Sequence, residues 1–314
     1  MAQHITASNR GPLVQIFTWF FFFVGLFFFV VRLVTKHALA SPYKIEDAII
    51  IVAIILSLGQ SIAVSAAVSN GLGKPLESLN EAQIEATLKS QYVAIILLIA
   101  CLGTTKLSIA VFVKGLSPDV HHHRYSNWIG LSSLVWMVIG LISAIFQCSP
   151  PHTWDPLNGN HCVNLRAWWT FIALGNMLTD VFIVAVQFFL LWGVQLPMSN
   201  KFILFSIFSF RLGVVGATIA QLYVYYQSFD SLDITLRAWL PALLNQLIQS
   251  LSISTACIPH LKRFLDSLES GMIRVREPSR MDNSQVGTEL GGVGGSNSTR
   301  ASSKKQRISG SLLR

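Results

Sequence analysis

The sequence predicts an all-α membrane protein: a seven-transmembrane-helix bundle with its N-terminus outside and its C-terminus cytoplasmic. Three observations carry this. Of 314 residues, 52% are hydrophobic and only 12% are Asp, Glu, Lys or Arg, where soluble domains carry about 25% charged residues. Mean hydropathy is +0.54. The apolar residues come in long blocks, and residues 11–31, 48–73, 125–154, 181–200 and 238–261 hold no charged side chain. About 20 apolar residues cross a ~30 Å hydrocarbon core, so these blocks read as spans. The same composition excludes a soluble enzyme and a disulfide-stapled secreted domain. The formal charge of +8 does not point to nucleic acid, because ten of the 23 basic residues follow Pro259, as in a tail facing anionic lipid.

Seven segments follow in order: 13–35, 47–68, 88–113, 125–147, 168–194, 202–226 and 236–258. The first, with phenylalanines at 20–23 and 27–29, reads as a lipid-facing anchor. Ala38-Leu39-Ala40 offers a rival reading as a signal-peptidase site. A signal h-region spans about 7–15 residues, however, and this one is longer, with Arg32, Lys36 and His37 before the site. A retained helix is expected. The second, third and fifth segments carry Gly, Ser and Thr, which let helices approach closely in a bilayer. Gly213, Gly216 and Ala220 make a small-residue stripe on the sixth.

Orientation comes from the basic residues. Arg10, Lys74, Lys89, Arg166 and Arg237 fall on one side; Arg32, Lys36, Lys44, Lys114, Arg124, Lys201 and the ten tail residues fall on the other. The richer side is cytoplasmic. After Pro259, Leu261, Phe264, Leu265, Leu268 and Met272 repeat at helical spacing opposite Lys262, Arg263, Asp266 and Glu269, predicting a short amphipathic helix in the cytoplasmic interface. The domain organisation is then a short extracytoplasmic N-terminus (1–12), a membrane domain with its interfacial helix (13–273), and a tail (274–314) too rich in Gly, Ser, Asn and Arg to bury a core.

Polar residues inside the bilayer are functional-site candidates. Asp180 lies about 12 residues, or ~18 Å, from the outer end of the fifth segment, with Asn176 one turn earlier on the same face. Arg211 enters about as deeply, ~16 Å, from the cytoplasmic side of the sixth. Asp180 and Arg211 are expected to pair or to share a polar cavity, either to fix helix register or to contact a ligand. Lys106 sits nearer the cytoplasmic end of the third segment. There its side chain can snorkel or bridge to Glu46 and Asp47, which open the second segment and favour its dipole.

Cys148 and Cys162 share one outer loop. An oxidising lumen favours a disulfide, two free cysteines being the alternative. Closing that loop contributes about 3 kcal/mol in the chain-entropy model and makes a lid over the outer mouth. His121-His122-His123 form no preorganised metal site. No metalloprotease, phosphate-loop or nucleophile-elbow motif occurs, so neither enzyme activity nor a cofactor is expected. Asn297-Ser298-Thr299 is a glycosylation sequon that a cytosolic tail keeps from the transferase.

Together these residues resemble the fungal rhodopsin-domain family of integral membrane proteins. The resemblance shows in Glu46-Asp47, Gly71-Leu72-Gly73, Lys106-Leu107-Ser108-Ile109 through Phe112, and Phe146-Gln147-Cys148-Ser149-Pro150 with Trp154 and Cys162. It continues in Asn176, Asp180, Phe210-Arg211-Leu212 and Thr255-Ala256-Cys257-Ile258-Pro259, running into residues 268–273. Departures are Lys74 for a frequent His, Val113 for a Tyr and Gln187 for a Pro. That family includes candidate G-protein-coupled receptors of plant-pathogenic fungi and members named from mycotoxin gene clusters. The resemblance implies a multi-pass protein of the plasma membrane or an endomembrane. It implies no retinal, because the seventh segment has no Lys for a Schiff base.

Three functions stay open. A receptor-like protein would take an unknown outer ligand and pass a signal through its loops and tail to a cytoplasmic partner. A non-catalytic accessory or scaffold protein would use its polar pairs for packing alone. A membrane-embedded enzyme, such as a terpene cyclase, would need a carboxyl acid with a raised pKa, which Arg211 beside Asp180 would oppose. No inverted repeat favours a transporter. In the tail, Ser302, Ser303 and Ser309 stand beside basic residues, so their phosphorylation would weaken attraction to anionic lipid.

Overall fold

The computed structural model describes residues 9–38, 42–115, 120–148, 153–154, 162–192, 198–229 and 234–275. Among them the secondary structure is helical: α1 (Gly11–Ala38), α2 (Ile45–Asn70), a 3-10 turn (Leu76–Ser78), α3 (Glu81–Lys114), α4 (Val120–Ile145), α5 (Leu165–Trp192), α6 (Met198–Phe229), the short α7 (Ile234–Arg237) and α8 (Trp239–Val275). Each of the seven segments falls on a long helix. Among the described residues α1 to α5 are long and apolar enough to cross a membrane. The chain divides into two units after Ser270, and the helix bundle belongs to the first.

Polarity is distributed as a bilayer requires. Phe20, Phe23, Phe27, Ile55, Ile142, Leu178 and Phe189 are exposed, while Gln60, Ser61, Lys106, Asp180, Gln246 and Ser252 are buried. Lipid is as apolar as Leu, so the interior must be held by close packing and interhelical hydrogen bonds. Helices α1 to α6 pack in succession. Of the five apolar helices α3 is the most enclosed, with 61% of its most apolar window buried against 28% for α1 and for α4. Helix α8 is joined to α1 by Arg32, to α2 by Gln246 and Gln249, and to α6 by Asn245 and Thr255.

The turn after α2 explains part of the Gly71-Leu72-Gly73 motif. Gly71 and Gly73 have φ of 128° and 88°, a region that costs an L-residue its Cβ clearance. The Gly73 carbonyl also accepts Arg10 N–H at 3.0 Å, and a Cβ at Gly73 would stand 2.8 Å from Gly11 N. Between the two glycines Leu72 is buried, stapling the turn to the end of the bundle. The α2 start is capped by Asp47, whose Oδ2 accepts Lys44 N–H at 2.9 Å. At the start of α3, Gln83 Oε1 accepts Asn80 N–H at 3.1 Å, which is half of a capping box.

Three expectations change. Helix α1 is two-faced rather than wholly lipid-facing, since Phe22, Phe29, Arg32 and Lys36 are buried. Arg32 and Lys36 lie inside this helix rather than in the loop after it, and are paired with Glu46 and Asp47. Helix α8 runs on through Pro259 to Val275, so no break separates the amphipathic stretch from the seventh segment. A proline removes one backbone donor and can kink a helix without ending it. Ser302, Ser303, Ser309 and residues 276–314 lie outside the described residues.

Candidate functional site

Midway along the bundle a single carboxylate gathers two cations from two other helices. Asp180 Oδ1 on α5 accepts Arg211 Nε at 3.0 Å and Nη2 at 2.7 Å from α6. Lys106 Nζ of α3 lies 3.3 Å from the same oxygen. The ammonium donates to the Asn176 backbone oxygen at 2.9 Å, to Asn176 Oδ1 at 2.8 Å and to Thr179 Oγ1 at 2.5 Å. The Trp136 ring covers it at 4.7 Å. Lys106, Asp180 and Arg211 are 0%, 0% and 2% exposed. A buried ion pair gains little over an apolar packing, but stripping one partner is costly because it leaves a buried charge uncompensated.

Close helix packing places the Trp136 cover. A Cβ at Gly175 would lie 2.4 Å from Trp136 Cδ1, so α4 and α5 approach this closely only with glycine there. Asn176 then links the cluster outward, its Nδ2 donating to Thr218 Oγ1 on α6 at 3.2 Å. One turn on, Gln221 Nε2 donates to Asn245 Oδ1 on α8. Thr255 of α8 meets Arg211 Nη1 from the other direction at 3.4 Å.

Asn245 also borders a cavity of about 640 Å³ at the disulfide end of the bundle, within the size of small-molecule sites. Its walls combine Val64, Ala67, Leu88, Ile95, Pro241 and Ala242 with Trp154, Trp169, Tyr92 and Tyr225. Trp169 stacks on Tyr225 at 4.0 Å. Polar atoms come from Gln60, Gln91, Gln147, Asn164, Asn245 and Arg166. Gln147 and Asn164 flank the Cys148–Cys162 disulfide, which holds the ends of α4 and α5 at the cavity rim. On the far wall Gln246 donates to Gln60 at 2.8 Å and Gln249 to Ser57 at 2.5 Å, a seam of amides between α2 and α8.

At the opposite end Glu46 and Asp47 do not reach Lys106. Asp47 Oδ1 takes Arg32 Nε at 3.1 Å and Nη2 at 2.8 Å, and its Oδ2 takes Lys36 at 2.6 Å. Lys36 also reaches Glu46 at 3.0 Å. Arg32 Nη1 continues to the Ala256 carbonyl of α8 at 3.1 Å, so this network ties α1, α2 and α8. The expected bridge from Glu46 and Asp47 to Lys106 is therefore corrected. Lys106 lies eight residues before the end of α3, or about 12 Å, beyond the reach of its side chain toward the interface, and the interior offers it four oxygens. The true partners were legible in principle. Arg32 and Lys36 stand one turn apart on α1, only a short loop from the acidic opening of α2.

The structure thus brings Asn176, Asp180 and Arg211 together and adds Lys106, Trp136, Thr179, Thr218 and Thr255, which sequence reasoning did not assign there. Cys148 and Cys162 are joined.

The family model for the fungal rhodopsin domain matches residues 31–267. The chain belongs to the fungal rhodopsin-domain family. A SAT4 family membrane protein of Emericella nidulans is 24% identical over 201 residues, 62% of this chain and 50% of that protein. The chain thus spans about half the length of this curated relative. No solved structure matches it. As a fungal rhodopsin-domain protein with five long apolar helices among its described residues, it is an integral multi-pass membrane protein.

Proposed function

We propose that this chain is a receptor-like plasma-membrane protein with seven spans. Its N-terminus and disulfide face outward, and its C-terminal tail is cytoplasmic. A ligand enters the cavity at the disulfide end, biases the packing of α5, α6 and α8, and changes the surface offered to a cytoplasmic partner. One observation carries this reading: Asn245 on the cavity wall accepts from Gln221 of α6, and one turn along that helix Thr218 accepts from Asn176, which holds Lys106 in the Lys106–Asp180–Arg211 cluster. A ligand that moves Asn245 therefore pulls on Gln221 of α6, the helix that also carries Thr218 and Arg211, whose buried polar contacts are expensive to leave unpaired.

Two features favour this over an acid-catalysed cyclase or a scaffold. The carboxylate that cyclase chemistry would need, Asp180, is engaged by two cations and does not border the cavity. A scaffold role would account for the ion pairs but not for a cavity of ligand size.

The test is recruitment of cytoplasmic proteins to the full chain in its native membrane, compared with Asp180→Asn and the cavity-filling Ala242→Phe at equal surface abundance. Both variants should lose a recruitment that the wild type shows. A deletion strain whose ligand and nutrient responses match the parent would end the receptor reading.

A further inference from the structure

We propose that the large cavity takes a flat, apolar molecule ending in a short alkyl group, and that this group enters a second, smaller chamber deeper in the bundle, against Trp136. This subsite rests on the cavity being the ligand site.

The chamber has a volume of about 20 Å³, enough for one methyl-sized group or a water molecule. Ile95 and Trp169 border both spaces, so these two side chains form a partition between them. The other walls lie deeper. On α3 Leu98 and Ile99 follow Ile95, on α5 Ile172 and Ala173 follow Trp169, and on α8 Ile248 follows Asn245. One turn beyond Leu102 and Asn176, which also border the chamber, stand Lys106 and Asp180. Cavity, chamber and charge cluster are therefore stacked in that order along the bundle.

The chemistry of the chamber is apolar, because the polar groups at its border are engaged elsewhere. Asn176 Oδ1 accepts from Lys106 and its Nδ2 donates to Thr218, whose hydroxyl donates to the Val214 carbonyl. Gln221 Nε2 donates to Asn245, and Trp136 Nε1 donates to the Ile172 carbonyl. Most of what remains is aliphatic and aromatic carbon. Water in such a space needs about two to four polar partners. An alkyl group needs none, and it supplies the dispersion contacts that a small void withholds from its lining. At the partition Trp169 stacks on Tyr225 at 4.0 Å, an aromatic surface suited to a flat body. An occupant of the chamber touches Trp136 and Asn176, which lie 4.7 Å and 2.8 Å from the Lys106 ammonium. The subsite thus gives the alkyl end of the ligand a direct packing contact with the groups that hold the charge cluster.

The test uses the full chain in detergent micelles with three neutral fluorescent probes: 6-acetyl-, 6-propionyl- and 6-butyryl-2-(dimethylamino)naphthalene. They share one flat body and differ by single methylenes. Affinities are compared as ratios between probes, variant against wild type in the same detergent, so that partition into the micelle cancels. Ala173→Leu fills the chamber and should lower the propionyl-to-acetyl ratio about fourfold, the equivalent of one buried methylene. Ile248→Ala enlarges the chamber and should raise the butyryl-to-propionyl ratio by a similar factor, which keeps the test decisive if Ala173→Leu fails to fold. Ala242→Phe should abolish binding of all three. If Ala242→Phe abolishes binding while both ratios stay at their wild-type values in Ala173→Leu and Ile248→Ala, the cavity stands and the subsite is overturned. If Ala242→Phe leaves every probe bound as before, the cavity reading itself falls. A wild type that binds none of the three overturns the assignment of a flat, alkyl-bearing ligand.

Discussion

Arg211 grips Asp180 through one carboxylate oxygen, with Nε at 3.0 Å and Nη2 at 2.7 Å. The second oxygen, Oδ2, has no hydrogen-bond partner among the described residues. The oxygen that takes Arg211 also takes Lys106, so one atom of α5 binds α3 and α6 together. Two cations share one anion in a site closed to solvent. This sets the cluster apart from the network at the other end of the bundle, where Arg32 and Lys36 face both Glu46 and Asp47.

Removing the shared anion should therefore cost more than removing a pair. Asp180→Asn is expected to lose about 3–5 kcal/mol of stability, the range for stripping one partner from a buried pair. The double variant Asp180→Leu/Arg211→Met should recover little, because Lys106 is left without its counter-charge. Adding Lys106→Met should recover most of the loss. Thermal unfolding in detergent reads all three, and full recovery by the double variant alone would show that Lys106 does not depend on Asp180.

The network at the other end predicts an ordering between two neighbouring acids. Asp47 accepts Arg32 twice, Lys36 and the Lys44 backbone, while Glu46 lies 3.0 Å from Lys36 and 3.9 Å from Arg32. Asp47→Asn should cost about 3–5 kcal/mol, and Glu46→Gln about half as much. The order of the two melting temperatures in one detergent checks this. A Glu46→Gln loss equal to or larger than that of Asp47→Asn would be inconsistent with the geometry.

Much of this is legible in the sequence, for a simple reason. Uncharged runs of about 20 residues have few other uses, so each predicted segment lands on a long helix. Asp180 and Arg211 can be matched because depth is arithmetic along a helix, and Cys148 and Cys162 because they share a loop. Lys106 is misplaced by such reasoning because snorkelling is judged from one helix, whereas its four oxygen partners belong to another. The cavity is not legible at all. Gln60, Tyr92, Trp169, Tyr225 and Asn245 come from five helices, and no spacing along the chain announces their convergence.

Glycine packing gives a third test. Gly175→Ala pushes a methyl into Trp136, and overpacking of this kind costs about 1–3 kcal/mol. Because Trp136 covers Lys106, its displacement should also alter tryptophan emission. Gly216 meets nothing within 4 Å, so Gly216→Ala should be neutral or slightly stabilising through helix propensity. Equal destabilisation by the two would mean that the close approach at Gly175 is not what matters.

The disulfide closes a separation of 14 residues, and the Cys148→Ser/Cys162→Ser variant should lose about 3 kcal/mol in the chain-entropy model. Because the bond holds the rim beside Gln147 and Asn164, probe release from the cavity should quicken as well. Thermal unfolding and dissociation rates on the same preparation separate the two effects. Reduction that lowers stability without changing release would confine the bond to a structural role.

Thr218 lies on α6 one turn from Gln221 and holds Asn176 of the charge cluster, so its removal separates transmission along α6 from binding. Its hydroxyl accepts Asn176 Nδ2 at 3.2 Å and donates to the Val214 carbonyl at 2.8 Å. Thr218 is not among the residues bordering the large cavity. Thr218→Val keeps the shape and deletes the acceptor, leaving the buried Asn176 donor unsatisfied at a cost of about 1–3 kcal/mol. If the polar chain couples the two sites, probe affinity should stay within about twofold while partner recruitment falls severalfold, since a coupling free energy of 1–3 kcal/mol corresponds to about 5–150-fold. A double-mutant cycle with Asn245→Leu then measures the coupling directly. Independent, additive effects of Thr218→Val and Asn245→Leu on recruitment would show that the ligand acts through some other part of the bundle.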